Sequence, residues 1–247
     1  MARILITGSS DGLGLAAAQR LISQGHTVVL HARNPQRASD ATTACPGAET
    51  VVTGDLSSLS ETKALAAQVN NLGTFDAVIH NAGLFRGPLR KTSEGIPALA
   101  AVNTIAPYVL TALINRPKRL VFLSSEMHKY ANKEEDLDDP LWKTRRRGLH
   151  NVMFAKAFAR RWPEVRSNAL DPGWVATKMG GSSAPESIDA AVESYVMLAV
   201  GEEAEKKSGC YFHPSKREGK PLEAAEDEKA QDRLLEVCAE FSGVRLP

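Results

Sequence analysis

The chain has 247 residues, 43% of them hydrophobic and 24% charged. That balance belongs to a folded globular chain and excludes global disorder. Thirty Lys and Arg stand against 29 Asp and Glu, a formal charge of +1, so no electrostatic footprint marks a nucleic-acid or anionic-membrane partner.

Parallel α/β sheets reach roughly 250 residues as one unit, so a single domain over residues 1–247 is expected. Short β-branched runs alternate with segments of helical period along the chain. Strands are predicted at residues 2–8, 26–33, 49–55, 75–83, 119–125 and 165–173, with a weaker seventh at 210–213. Several are apolar at successive positions, as strands covered on both faces are. Helices are predicted at 13–22, 59–70, 96–114, 149–162 and 188–200. The alternation predicts a Rossmann-type, doubly wound α/β sheet with helices on both faces.

Two stretches break the rhythm. Residues 126–148 form a polar excursion, acidic at Glu134, Glu135, Asp136, Asp138 and Asp139, then basic at Lys143 and Arg145 to Arg147. Residues 214–247 form a C-terminal extension whose stretch 231–241 carries Leu234, Leu235, Val237, Cys238 and Phe241 on one stripe, a helix docked on the core. The longest apolar region, 97–114, is broken by Asn103, Thr104 and Pro107, so no membrane span is expected. The N-terminus lacks the pattern of a secretory leader, and Cys45, Cys210 and Cys238 are odd in number and far apart. A reducing, cytoplasmic setting is expected.

Between the first strand and the first helix runs Thr7-Gly8-Ser9-Ser10-Asp11-Gly12-Leu13-Gly14. Glycine permits the tight turn and lets main-chain N–H groups approach a phosphate, and the helix N-terminus adds a positive dipole end. The context of strand, turn and helix gives the motif its meaning. The plain alternative is a βα turn without a ligand.

The spacing TGxxxGxG resembles the fingerprint of the short-chain dehydrogenase/reductase family. Further family motifs recur in order: Gly54-Asp55-Leu56, Asn81-Ala82-Gly83, Asn103 within VNTIAPYVLT, Ser124-Ser125, and Asp171-Pro172-Gly173 followed by Thr177. The resemblance covers essentially the whole chain. The excursion after strand five and the segment WPEVRSNALDPGWVATKMGG look most similar to the retinol-dehydrogenase-like branch.

The resemblance implies hydride transfer between a nicotinamide cofactor and a small-molecule carbonyl or alcohol substrate. It assigns cofactor contacts to Gly8, Ser10, Asp11, Gly12, Leu13 and Gly14, to Asp55 and Leu56 beside the adenine, and to Asn81, Ala82 and Gly83. Pro172, Gly173 and Thr177 fall on the nicotinamide side. It assigns the substrate oxygen to Ser125 and a place in the catalytic network to Asn103. It also implies a homodimer, built on the helix near 97–114 and the helix that follows the catalytic Tyr.

Strand two ends His31-Ala32-Arg33-Asn34, with no Asp or Glu before Asp40. An acidic residue there would bond a free ribose 2′-hydroxyl. Arg33 instead offers a planar fork suited to a 2′-phosphate, with Ser9 or Ser10 adding a hydroxyl. NADP(H) is therefore expected in preference to NAD(H).

One family motif is missing. A Tyr with a Lys four residues on places both groups on one helix face, where the ammonium activates the phenol. Here Tyr108, Tyr130, Tyr195 and Tyr211 are followed four residues later by Ala112, Glu134, Ala199 and Ser215. Counting back from Leu149-His150-Asn151-Val152-Met153-Phe154 puts Gly148 in the Lys place and Thr144 in the Tyr place. Three explanations stand open. Groups just after strand five (Ser125, His128, Lys129, Tyr130) take over the proton transfer, with His128 a candidate acid near neutral pH. Alternatively, the chain binds dinucleotide with little or no turnover, as a sensor or partner. Or residues 143–148 misreport an otherwise ordinary member of the family.

The six histidines show no HxxxH or HExxH spacing, so no metal site is expected, and no GxSxG elbow supports an esterase. Trp142, Trp174 and Met179 flank the inferred crevice and point to an apolar substrate pocket, with packing as the plain alternative.

Overall fold

The computed structural model describes residues 1–85, 90–126 and 147–247. Eight strands form one sheet in the order β3-β2-β1-β4-β5-β6-β7-β8. They are β1 (Arg3–Ile6), β2 (Thr27–Ala32), β3 (Thr50–Thr53), β4 (Ala77–His80), β5 (Arg119–Leu123), β6 (Arg166–Leu170), β7 (Tyr211–Phe212) and β8 (Glu218–Gly219). All pairings are parallel except that of β7 with β8. The order reverses between β1 and β4, so a crevice opens at the carboxyl ends of those two strands.

Why the central strands read as continuous apolar runs is visible in the two cores. Ile4, Ile6, Val28, Leu30, Ala77 and Ile79 join one cluster, while Leu5, Val29 and Val78 join the other. The period-two alternation is intact, but both faces are covered. One face carries α1 (Gly12–Ser23), α2 (Pro35–Ala44) and α7 (Ile188–Val200). The other carries α3 (Leu59–Asn71), α4 (Ala98–Ala100), α5 (Ala106–Leu113), α6 (Arg147–Arg161) and α8 (Glu228–Ser242). Among the described residues no helix is long and apolar enough to cross a membrane.

Three elements differ from the sequence expectations. Helix α2 has almost no apolar period, and only Ala41 is buried; it forms because Asn34 Oδ1 accepts from the Arg37 N–H at 2.9 Å and Pro35 opens the first turn. Strand β8 is two residues long and was not expected. The helix expected over 96–114 is interrupted by a π-helical turn at Ala101–Ile105. Pro107 lacks an N–H, so the carbonyl of Asn103, four residues earlier, has no α-helical donor. The wider turn absorbs that defect and sets Asn103 at the break.

The C-terminal extension ends in a helix, as expected. Leu234, Leu235 and Cys238 of α8 are buried against the core that holds Phe154 and Phe158 of α6 and Trp162 just after it. Polar ties fix it: the Tyr108 hydroxyl donates to Val244 O at 2.9 Å, Lys63 Nζ donates to Ser242 O at 2.8 Å, and Arg160 and Arg161 both reach Asp232. Helix α8 thus packs against both α5 and α6.

Candidate active site

The crevice is built where the turn after β1 meets the turn after β4. Gly8 has φ +62°, and a Cβ there would lie 2.7 Å from Ala82 Cα. A Cβ on Gly14 would lie 2.5 Å from Asn81 Nδ2. Only glycine lets the two turns approach this closely. Asn81 then joins them: its Nδ2 donates to Thr7 O at 2.9 Å and Gly8 O at 3.0 Å, while Oδ1 accepts from the Tyr195 hydroxyl at 2.8 Å. Both ends of its amide thus bond inside the protein, and Asn81 shapes the crevice.

Gly12 opens α1 with φ +57°, and the nearest atom to a Cβ placed there is Thr177 Cγ2 at 4.0 Å. Asp11, the residue before α1, makes no side-chain hydrogen bond to the first turn, and that turn holds no acidic residue. The carboxylate instead turns to Arg37 Nη2 at 2.6 Å and Lys178 Nζ at 3.6 Å. First-turn N–H groups left without a cap beside an open glycine face fit a diphosphate. Gly12, Leu13 and Gly14 could hold it, with Thr177 opposite.

The loop after β6 lies over this opening. Gly173 has φ +79°, its N–H donates to Asp171 Oδ1 at 2.9 Å, and a Cβ would meet Pro214 Cγ at 2.9 Å. Thr177 Oγ1 accepts from Gly180 N–H at 3.2 Å. Beyond them Trp174 and Met179 are more than half exposed, as Phe85 on the β4 side is nearly so. Trp142 lies outside the described residues.

On the adenosine side, Arg33 is exposed and makes no hydrogen bond or ion pair among the described residues. Arg37, in the first turn of α2, donates to Ser10 Oγ at 3.1 Å and Asp11 Oδ2 at 2.6 Å. The sequence reading did not single out Arg37; its signal was the Asn34-Pro35 helix start, which puts Arg37 in the first turn of α2. Asp55 Oδ1 accepts from the N–H and hydroxyl of Ser57 at 2.8 and 2.7 Å, forming a turn. Leu56 is buried with its side chain in the core, so any ligand contact there falls to its main chain.

At the other end, Asn103 forms a two-point lock with the loop after β4: its Nδ2 donates to Leu84 O and its Oδ1 accepts from Leu84 N–H, both at 2.8 Å. Ser125 is half-buried just past β5. Ser124 Oγ donates to the carbonyl of Gly148 at 2.8 Å, bringing the first turn of α6 against the end of β5. Gly148 therefore stands beside the serine pair with no side chain to offer. Thr144, His128, Lys129 and Tyr130 lie outside the described residues.

The other three tyrosines are committed to the interior. Burial, and the Asp171 carboxylate, push the Tyr195 and Tyr211 phenols far up, and Tyr211 donates to Asp171 Oδ2 at 3.3 Å. Burial pushes Tyr108 up to about 12. None of the three is placed or tuned as an acid near neutral pH.

The family model "short chain dehydrogenase" matches residues 2–134. "Short-chain dehydrogenase chyC" of Penicillium rubens is 44% identical over 259 aligned positions, covering 100% of both chains. With 247 residues here, at least 12 of those positions have no residue in this chain. Human "Retinol dehydrogenase 14" is 28% identical, covering 98% of this chain and 86% of its own. The crystal structure of a protein from Mycobacterium paratuberculosis shares the fold, with a TM-score of 0.81, 21% identity and coverage of 100% and 95%. The chain belongs to the short-chain dehydrogenase/reductase family.

Proposed function

We propose that the chain binds NADP(H) across the β1–β4 switch point and exchanges hydride with a small or medium apolar carbonyl or alcohol substrate. The observation that carries this is the uncapped first turn of α1, with glycine at its open face and Thr177 opposite. The oxidoreductase names of its relatives support the reaction class.

Each residue has a part in that reading. The N–H groups of Gly12, Leu13 and Gly14 take the diphosphate, with Ser10 beside them. Arg33 and Arg37 take the 2′-phosphate through planar donor forks, which favours NADP(H) over NAD(H). The turn of Asp55 and Leu56 bounds the adenine. Asn81, Ala82 and Gly83 form the floor, and Pro172, Gly173 and Thr177 the cover on the nicotinamide side. The bound nicotinamide supplies or accepts the hydride. Ser125 donates to the substrate oxygen and orients it. Asn103 holds the β4 loop beside it through Leu84.

The proton must come from elsewhere. With Tyr108, Tyr195 and Tyr211 buried and bonded, His128, Lys129 and Tyr130 are the candidates that remain from the groups after strand five. The competing reading is a dinucleotide-binding protein with little turnover. Gly148 against the β5 serines favours it. Assaying NADPH consumption against aldehydes and ketones separates them. The wild type is run beside a Thr144→Tyr/Gly148→Lys variant. Turnover by the wild type supports the first reading, and turnover by the variant alone supports the second. The nucleotide sequence across residues 140–150 tests whether the run Lys143 to Gly148 is genuine.

The homodimer implied by the resemblance would draw on α5 and α6, the two helices that α8 packs against on one side. The free thiols Cys45, Cys210 and Cys238 suit the cytoplasm.

A further inference from the structure

His31, the penultimate residue of β2, is 2% exposed and sits behind the glycine turn, outside the contacts assigned so far. Its two ring nitrogens face partners of opposite kind. Nδ1 lies 2.9 Å from the Gly8 nitrogen, which can only donate, and Nε2 lies 2.9 Å from Gly54 O, which can only accept. One arrangement satisfies both: a neutral imidazole with its proton on Nε2. Burial also pushes its pKa down, in keeping with a neutral ring.

The main chain completes the tie. The His31 N–H donates to Ser9 Oγ at 2.9 Å, Ser9 N–H donates to His31 O at 3.1 Å, and Ser9 Oγ donates to Ile6 O at 2.8 Å. The ring therefore spans from the first glycine of the turn that opens α1 to the end of β3, where Asp55 begins its own turn. Gly8 has φ +62° and backs directly onto Ala82, so small rotations at Gly8 are transmitted to the mouth of α1.

We propose that His31 is a positioning residue of the dinucleotide site, its donor-and-acceptor ring setting the glycine turn at the separation from the β3 end that a bound dinucleotide requires. The inference rests on the reading of the crevice as a dinucleotide site. A residue that merely filled space could be replaced by leucine without cost to binding. A residue that sets the turn could not, whereas glutamine, which carries one donor and one acceptor on a planar group, would restore part of the tie.

The test titrates NADPH into the wild type, His31→Leu and His31→Gln, following nicotinamide fluorescence, with thermal unfolding of each recorded in parallel. Expected is a rise in Kd of about tenfold or more for His31→Leu, the size of one or two lost buried hydrogen bonds, and recovery of most of it in His31→Gln. A folded His31→Leu that binds NADPH within about twofold of the wild type overturns the inference and leaves the dinucleotide reading standing. A wild type that binds neither NADPH nor NADH overturns both. Nitrogen-15 spectra of the unmodified protein near pH 7 provide a measure independent of any variant. The Nε2–H tautomer is expected for His31, and an Nδ1–H tautomer or an imidazolium overturns the inference.

Discussion

The Tyr195 hydroxyl of α7 donates to Oδ1 of Asn81 at 2.8 Å, so one amide ties α7 to both turns of the crevice. Tyr195 is 1% exposed. Replacing it with phenylalanine leaves Oδ1 buried without its donor. The expected cost is about 1–3 kcal/mol of stability. Urea unfolding of Tyr195→Phe measures it, and an unchanged midpoint at unchanged slope would show that the bond contributes nothing.

Arg37 links Ser10 and Asp11, and Arg33 stands exposed beside it. Arg33→Ala and Arg37→Ala are each expected to weaken NADPH binding by roughly tenfold, about 1.4 kcal/mol, and NADH binding by much less. Calorimetric titration with both dinucleotides gives the answer. Equal losses for the two cofactors would remove the phosphate from the explanation, since NADH has none at the 2′ position.

Ser125 has no part in the glycine turn or the α2 start, so its removal separates binding from chemistry. Ser125→Ala is expected to lower kcat by about tenfold to a hundredfold while the Kd for NADPH holds, because only the oxygen being reduced loses a donor. Steady-state kinetics with the best ketone of the panel tests it. A loss confined to NADPH affinity would place Ser125 with the cofactor instead.

His31 and His80 are both buried, and burial pushes both pKa values down, that of His80 to about 3. Their unfolded values lie near 6.5. Below that pH the unfolded chain binds protons that the folded chain refuses, so stability falls as pH drops. Each fully neutral buried histidine contributes a slope of up to about 1.4 kcal/mol per pH unit until its folded pKa is reached. Unfolding free energies from pH 7 to 5 should therefore fall, and less steeply in His80→Gln. Parallel profiles for the two proteins would falsify the assignment.

Helix α8 covers α5 and α6 through Leu234, Leu235 and Cys238 and through the Tyr108–Val244 bond. Sedimentation at micromolar concentration is expected to give the mass of two chains, as the resemblance implies, and the mass of one chain would count against that homodimer. Ending the chain before Asp227 exposes that apolar face and is expected to cause association or loss of solubility.

Much of the architecture is local information. Strands one to six and helices α1, α3, α6 and α7 were legible because buried parallel strands and amphipathic helices leave strong periodic patterns. Helix α2 was not, since Pro35–Ala44 buries one residue and depends on the Asn34 cap. Strand β8 was not, since two residues in an antiparallel edge carry no period. The π-helical turn follows from Pro107, whose consequence falls four residues upstream, at Asn103.

By itself the sequence determined the fold class, the glycine turn and the lack of a Tyr-x-x-x-Lys pair, because each of these is written in neighbouring residues. Only the tertiary structure decided that Asn81 spends its amide on Thr7, Gly8 and Tyr195, that Arg37 reaches Ser10, and that His31 bridges Gly8 and Gly54. Those partners lie up to 114 residues apart. Hydrogen bonding acts over ångströms in space, and the sheet order that brings such groups together is set by the burial of both its faces at once.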